Sequence, residues 1–430
     1  MGFGNNELTS ESATHHRLFI IILAISLLSR LFLLNVPAFA VFDESVYVDA
    51  AYNIAWLEPP PLEPIFLGSR VSVVTVSPVE VYGEYPLGQD FNYEHPPLAK
   101  VIMAFFVWVF SSDRVSYFWA RVPSVLMSLV ALVSFYGVCL NFLDRKYSCL
   151  AVFVLSFESL FWIQSRIAVL DIYMLGFMLL GMWLYLKGYV GCSILAFSLS
   201  ILSKTVGVLG LLAIVVYEAV SWKPDRETLS RILYLVGGSA TVTFLVYSVL
   251  MRFVGVSKSP FEALKMMSFG LFSRSDWASA IVSGAMPISQ PWNWLMNEKP
   301  IHYAWIFDPK TGAVMLDMWG RMTPAVIFLA IPILAVVGYR AINHRESVAT
   351  FTFISFMVMF LPYFLTSLVR EQFLHHMVAA VPMLVLGITY WLRDQPKPFQ
   401  LGYLGLILFC WIWYYPYRFL WYLPALSFFG

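Results

Sequence analysis

Long apolar runs separated by short polar connections follow one another along almost the whole chain. Twelve can be marked, near residues 18–41, 101–110, 117–143, 147–163, 167–186, 189–203, 205–222, 232–254, 324–342, 348–369, 376–392 and 401–421. A hydrocarbon core roughly 30 Å thick needs about 20 apolar residues of helix, so most of these runs predict membrane-spanning helices. The run Val101–Phe110 is the exception. At about half the required length it predicts an interfacial or re-entrant helix, which leaves eleven crossings. The expected fold class is therefore an all-α polytopic membrane protein with a large first external loop carrying interfacial helices.

The polar connections set the orientation. With Val101–Phe110 not crossing, Asp144-Arg145-Lys146, Lys187, Lys223 to Arg231, Arg340 to Arg345 and Arg393 to Lys397 fall on one side. That side holds most of the short-loop Lys and Arg and is expected to be cytoplasmic. The opposite face collects the first loop, where nine acids (Asp43, Glu44, Asp49, Glu58, Glu63, Glu80, Glu84, Asp90 and Glu94) accompany one base, Arg70. It also collects Arg114, Arg121, the Arg166 to Asp171 connection, Lys204, residues 255–321 and Arg370 to His376. The chain is expected to be one transmembrane domain over 1–430, with residues 42–116 as the first external loop and 255–321 as the second. Neither loop predicts an independent soluble core.

Composition sharpens this picture. The chain is 60% hydrophobic, 17% aromatic and only 12% charged, with a net charge of +1, so nucleic-acid binding gains no support. The first apolar run lacks a small-residue cleavage site and is expected to stay as an anchor helix. Cys139, Cys149, Cys192 and Cys410 lie in or beside apolar runs without metal-type spacing and are expected to be buried.

In so apolar a chain, clustered ionisable groups need a reason. Asp43 and Glu44 directly follow the first span, at the depth where water meets a lipid head group. They could serve as a base acting on a membrane-bound donor or, more plainly, as a helix N-cap. Glu94-His95-Pro96-Pro97-Leu98-Ala99-Lys100 joins an acid and an imidazole to a rigid diproline that opens the short helix. Arg121, Lys204, Lys100, Arg166 and Arg370 are cations gathered on the same face, for which the plain reading is snorkelling at helix ends. Asp171 is read as an ion-pair partner of Arg166, as an N-cap or as a positioning group. Trp292, Trp294, Tyr303 and Trp305 are candidates for sugar or peptide stacking or for interfacial anchoring.

Taken together, these motifs resemble the protein O-mannosyltransferase family, membrane enzymes of the C-type glycosyltransferase fold that take mannose from a polyprenyl or dolichyl phosphate. The resemblance rests on Asp43-Glu44 and on His95 to Lys100. It extends to Arg121 with Pro123-Ser124, Gln164-Ser165-Arg166 with Leu170-Asp171, Ser203-Lys204, and Ser289-Gln290-Pro291-Trp292-Asn293-Trp294. Phe373-Leu374-His375-His376 followed by Met377 is a partial match to a late motif. The size, without a large sugar-binding insert, is similar to that of archaeal or bacterial members.

The resemblance implies inverting transfer of mannose, or a related hexose, to Ser/Thr hydroxyls of exported proteins at the outer face of the cell membrane. It implies Asp43 as base with Glu44 as helper, and Arg121, Lys204, Arg370, Lys100 and Arg166 around the donor phosphate. Glu94, His95, Asp171, Trp292 and His376 would bind sugar or acceptor or order the loop. No cofactor is required; Glu94, His95 or a late histidine could take a divalent metal, but the spacing does not demand one. The implied partners are a polyprenyl phosphate sugar, a secreted or membrane protein acceptor and the bilayer, with a dimer as one assembly state. Related enzymes of the fold, such as aminoarabinose transferases, offer a lipid or glycan acceptor as the alternative. A transporter is disfavoured, because the charges gather at one surface rather than at mid-membrane.

Overall fold

The computed structural model describes residues 3–57, 70–73, 86–111, 117–221, 226–256, 259, 261–262, 289–307, 314–368 and 372–416. Most of these are helical. Segments long and apolar enough to cross a membrane are Ala13–Leu31, Tyr117–Cys139, Arg226–Phe253, Pro324–Asn343 and Ser347–Thr366; shorter apolar helices include Leu98–Phe110, Leu170–Leu186, Val190–Ser203 and Val381–Leu392. The bundle sorts its faces as lipid demands. Leu170–Leu186 is apolar nearly all round and mostly buried among its neighbours, whereas Arg226–Phe253 leaves Leu233, Val249 and Phe253 more than 60% exposed. Such a stripe is stable against hydrocarbon rather than water.

Four helices organise the site: α1 (Phe3–Leu31), α2 (Glu44–Ile54), α3 (Leu98–Phe110) and α4 (Tyr117–Cys139). Helix α3 begins straight after Pro96-Pro97 and is 13 residues long, a rise of about 20 Å, shorter than the hydrocarbon core. Helix α2 is the buried element of the first loop. The apolar run 147–163, expected as one span, is two helices, α5 (Arg145–Ser156) and α6 (Ser159–Gln164). The break is held by one local and one distant contact of Glu158. Glu158 accepts the amides of Phe161 at 2.7 Å and Thr323 at 2.9 Å, capping α6 and tying it to a distant segment. Helices α7 (Leu170–Leu186) and α8 (Val190–Ser203) follow.

Beside the helices that the sequence leads one to expect, the chain carries one small sheet. Strands β1 (Arg70–Val73), β2 (Ile301–Phe307) and β3 (Val314–Gly320) pair antiparallel in the order β1-β2-β3. Val73 lies opposite Ala304, so the sheet joins the segment between α2 and α3 to the segment that follows Arg226–Phe253. The aromatic and β-branched residues of β2 suit a half-buried pleat, a signal too short to stand out beside the transmembrane runs. Between β2 and β3, His302 faces Trp319 and Ala304 faces Met318, so Tyr303 is the extra residue of a bulge.

Candidate active site

The turn between α1 and α2 is built on one buried ion pair. Arg121, on the first turns of α4, donates from Nε to Glu44 Oε1 at 2.8 Å and from Nη2 to Oε2 at 2.7 Å. Its other N–H groups go to the carbonyls of Leu34, Pro37 and Phe39. Glu44 also accepts the amides of Val41 at 3.0 Å and Ala168 at 2.7 Å. All five guanidinium donors are thus spent, and each carboxylate oxygen takes two bonds. Two sequence expectations change: Arg121 has no donor left for a lipid phosphate, and Glu44 has no lone pair left for an acceptor. The pair instead locks the turn, α4 and the segment before α7 together.

That lock presents Asp43, which is half-buried and makes no side-chain capping bond to α2, so the N-cap reading does not hold. Phe42 just before it has φ 54°, a left-handed conformation that an aromatic residue adopts only against strain. Packing holds it there. The Phe42 ring stacks on Tyr303 at 4.7 Å and meets the edge of His375 at 5.0 Å. Tyr303 is fully buried, and its hydroxyl oxygen accepts from Gln164 Nε2 at 2.7 Å. Burial, and then the charges of Asp43 and Asp171, push the Tyr303 phenol well above its ordinary value. Both carboxylates therefore act on one phenol.

Asp171, on the first turn of α7, pairs with Lys204, whose Nζ is 2.8 Å from both carboxylate oxygens. The expected Asp171–Arg166 pair is corrected. Arg166 turns to the C-terminus of α1 and donates to the carbonyls of Ser29, Arg30, Phe32 and Leu33 at 2.7–2.9 Å, with its guanidinium over the Trp162 ring. Exposed helix-end carbonyls carry partial negative charge, so a nearby arginine finds several acceptors there.

Lys100 is also taken up within its own loop. Fully buried, it pairs with Asp90 at 2.5 Å and donates to the carbonyls of Asn92 and His95 at 2.5 and 3.1 Å. Burial pulls the ammonium below its ordinary value, and Asp90 and Glu94 act against that. The His-Pro-Pro segment and the acids before it thus fold around Lys100. His95 is half-buried with its ring edge-on to Tyr47, and Glu94 accepts from Asn92 Nδ2 at 3.3 Å.

Of Trp292 and Trp294, the buried ring is Trp294. Trp294 donates to Ser289 Oγ at 2.8 Å and packs on Tyr363, which explains the Ser-to-Trp spacing structurally; Trp292 is 54% exposed beside Phe364. His376 lies parallel to Tyr363 at 5.3 Å, and its Nδ1 accepts the Phe373 amide. The histidine that reaches Phe42 is His375, which was not singled out in the sequence because His376 matched the motif position. Arg370 lies outside the described residues, as does the side chain of Trp305. Cys192 is exposed, against expectation, while the other three cysteines are buried. Among the described residues no cluster of three or more His, Cys, Asp or Glu could hold a metal ion.

No family model matches the chain. Over 149 residues it is 29% identical to the polyprenol-phosphate-mannose–protein mannosyltransferase of Mycolicibacterium smegmatis, a match covering 30% of this chain and 28% of that protein, so less than a third of the relative's length is spanned. Its fold is similar to a chain of the protein O-mannosyltransferase Pmt1–Pmt2 complex of S. cerevisiae bound to the sugar donor. That likeness has a TM-score of 0.71 at 10% identity and covers 94% of this chain and 90% of the other. ArnT from Cupriavidus metallidurans bound to undecaprenyl phosphate gives a TM-score of 0.58 at 15% identity, covering 90% and 61%. The chain is an integral membrane protein with the C-type glycosyltransferase fold.

Proposed function

We propose that this protein transfers mannose, or a related hexose, from a polyprenyl or dolichyl phosphate to Ser/Thr hydroxyls of exported proteins, at the outer face of the cell membrane. The observation that supports it is the placing of Asp43. The strained Phe42 just before it packs on the buried Tyr303, and the charges of Asp43 and Asp171 both push that phenol up. The fold likeness and the short mannosyltransferase match point the same way.

In this reading the acceptor hydroxyl attacks C1 of the sugar as Asp43 takes its proton, and the C1–O electron pair leaves with the lipid phosphate. Inversion follows from a single displacement. Negative charge grows on the phosphate, and Lys204 is the described candidate cation whose contacts are with a side chain rather than with backbone carbonyls. Arg370 is proposed as a second cation. Glu44, Arg121, Lys100 and Arg166 shape the site, and Trp292, the exposed ring of its motif, is proposed to meet sugar or acceptor.

Purified protein given labelled polyprenyl phosphate mannose and a Ser/Thr-rich peptide should transfer the label. Asp43→Asn should lose transfer while keeping its unfolding temperature. The reading fails if the wild type transfers nothing, or if the variant transfers as well as the wild type. Transfer to a lipid acceptor but not to peptide would favour the aminoarabinose-transferase-like alternative.

A further inference from the structure

We propose that Phe42 is a positioning residue for the turn that carries Asp43. Its ring, gripped by Tyr303 and His375 from two later segments of the chain, holds that turn in a conformation an aromatic residue does not keep by itself. The inference rests on Asp43 being the base in the function proposed above.

Residues 41–44 form a tight turn. The Glu44 amide donates to the Val41 carbonyl at 3.1 Å, φ is 54° at Phe42, and Asp43 has φ −68° and ψ −5°. A positive φ at the first central position followed by a helical second one is the pattern of a type II′ turn, whose first central residue is ordinarily glycine because a Cβ is penalised there. Asp43 is the second central residue. Its carbonyl accepts the amides of Val46 and Tyr47, each at 3.1 Å, so the same turn starts α2. The backbone of Phe42 therefore sets the direction in which Asp43 leaves the chain.

A side chain at a glycine position persists only where its surroundings over-determine it. The Phe42 ring is buried, stacked on Tyr303 at 4.7 Å and set edge-on to His375 at 5.0 Å. Both clamps are themselves fixed. The Tyr303 hydroxyl accepts from Gln164 Nε2 at 2.7 Å, and a Cβ added at Gly320 would lie 2.5 Å from both Cζ and Oη, so β3 closes against the phenol end. His375 is buried in the short helix Leu374–Ala379, its ring 4.3 Å from that of His376, just after Gln372, whose carbonyl accepts the Ser289 amide at 3.0 Å. The consequence for the enzyme is that Asp43 is aimed only while these two later segments are seated on the turn.

Glycine separates a held backbone from a filled space. Phe42→Ala removes the ring and keeps the Cβ, whereas Phe42→Gly removes more of the side chain but takes up the turn unaided. In the transfer assay Phe42→Ala should lose at least about tenfold in kcat with KM for the donor unchanged, and Phe42→Gly should recover at least about threefold of that loss. Amide exchange at Glu44, whose hydrogen bond closes the turn, should rise by about tenfold in Phe42→Ala and by less in Phe42→Gly. His375→Ala should raise it too, but not in a Phe42→Gly background, where there is no ring to grip. His375→Phe, which keeps a ring against Phe42, should raise it less than His375→Ala. A Glu44 amide that exchanges no more slowly in Phe42→Gly than in Phe42→Ala overturns the proposal, because Phe42 then only fills space. An unmoved Glu44 amide in His375→Ala overturns it as well. If the wild type shows no transfer at all, the functional reading fails, while the exchange at Glu44 still decides whether the ring holds the turn.

Discussion

Asp43 and Glu44 are chemically near-identical neighbours, and the groups around them divide their work. Glu44 accepts four bonds, two of them from a buried guanidinium, so changing it strands a charge. Glu44→Gln is expected to cost about 3–5 kcal/mol, read as a large drop in unfolding temperature in detergent, whereas Asp43→Asn should barely move it. A third acid of the same stretch behaves differently again. Asp49 is buried on α2, its Oδ1 has no hydrogen-bond partner among the described residues, and burial raises its pKa from 3.8 to about 8. The folded state keeps a proton there that the unfolded chain releases above about pH 4, so the native state loses stability as pH rises from 4 through 8. Replacing Asp49 by Asn removes that loss. Between pH 5 and pH 8.5 the unfolding temperature of the wild type should fall more than that of Asp49→Asn, and equal slopes would contradict the assignment.

At the level of elements, two arginines that the sequence placed among apolar residues are helix-end groups. Arg166 gathers four carbonyls at the end of α1, and Arg30 donates to the Ser156 carbonyl that ends α5. Each satisfies carbonyls that would otherwise be orphaned in a low-dielectric setting. Arg166→Ala should loosen the end of α1, with amide exchange over residues 30–36 rising by about tenfold or more relative to the helix centre. Lysine should not restore it, because one ammonium cannot reach four carbonyls in a fixed plane. Helix identity was legible in the apolar runs. The break before α6 was not, because it depends on Glu158 bonding an amide 165 residues away at Thr323.

For the molecule as a whole, the expected orientation sets the outer loops against the basic connections. Leu87, 54% exposed in the first loop, and Arg226, exposed at the start of its helix, should lie on opposite sides of the membrane. After replacement of the exposed Cys192, a cysteine at 87 should label with an impermeant maleimide in intact cells, and one at 226 only after permeabilisation. Labelling of both from outside would reverse the expected count of crossings. The β1–β2 pairing adds a connection between two segments that charge counting treats separately. It ties the segment that carries Tyr303 to the segment after α2, and the Tyr303 ring packs on Phe42.

The linear sequence by itself determined the membrane character, the short helix after Pro96-Pro97, and the gathering of acids behind the first span, since these depend on hydrophobic length and local backbone chemistry. It also marked Asp43 and Lys204, because unusual charge in an apolar chain stands out by composition alone. Only the tertiary structure decided which charges remain for chemistry. Arg121, Arg166 and Lys100 were equivalent candidates in one dimension, and each is spent on carbonyls or carboxylates brought close by folding. Tyr303 and His375 gained their places for the same reason. Packing between distant loops sets their neighbours, and no local pattern encodes a contact across more than 250 residues.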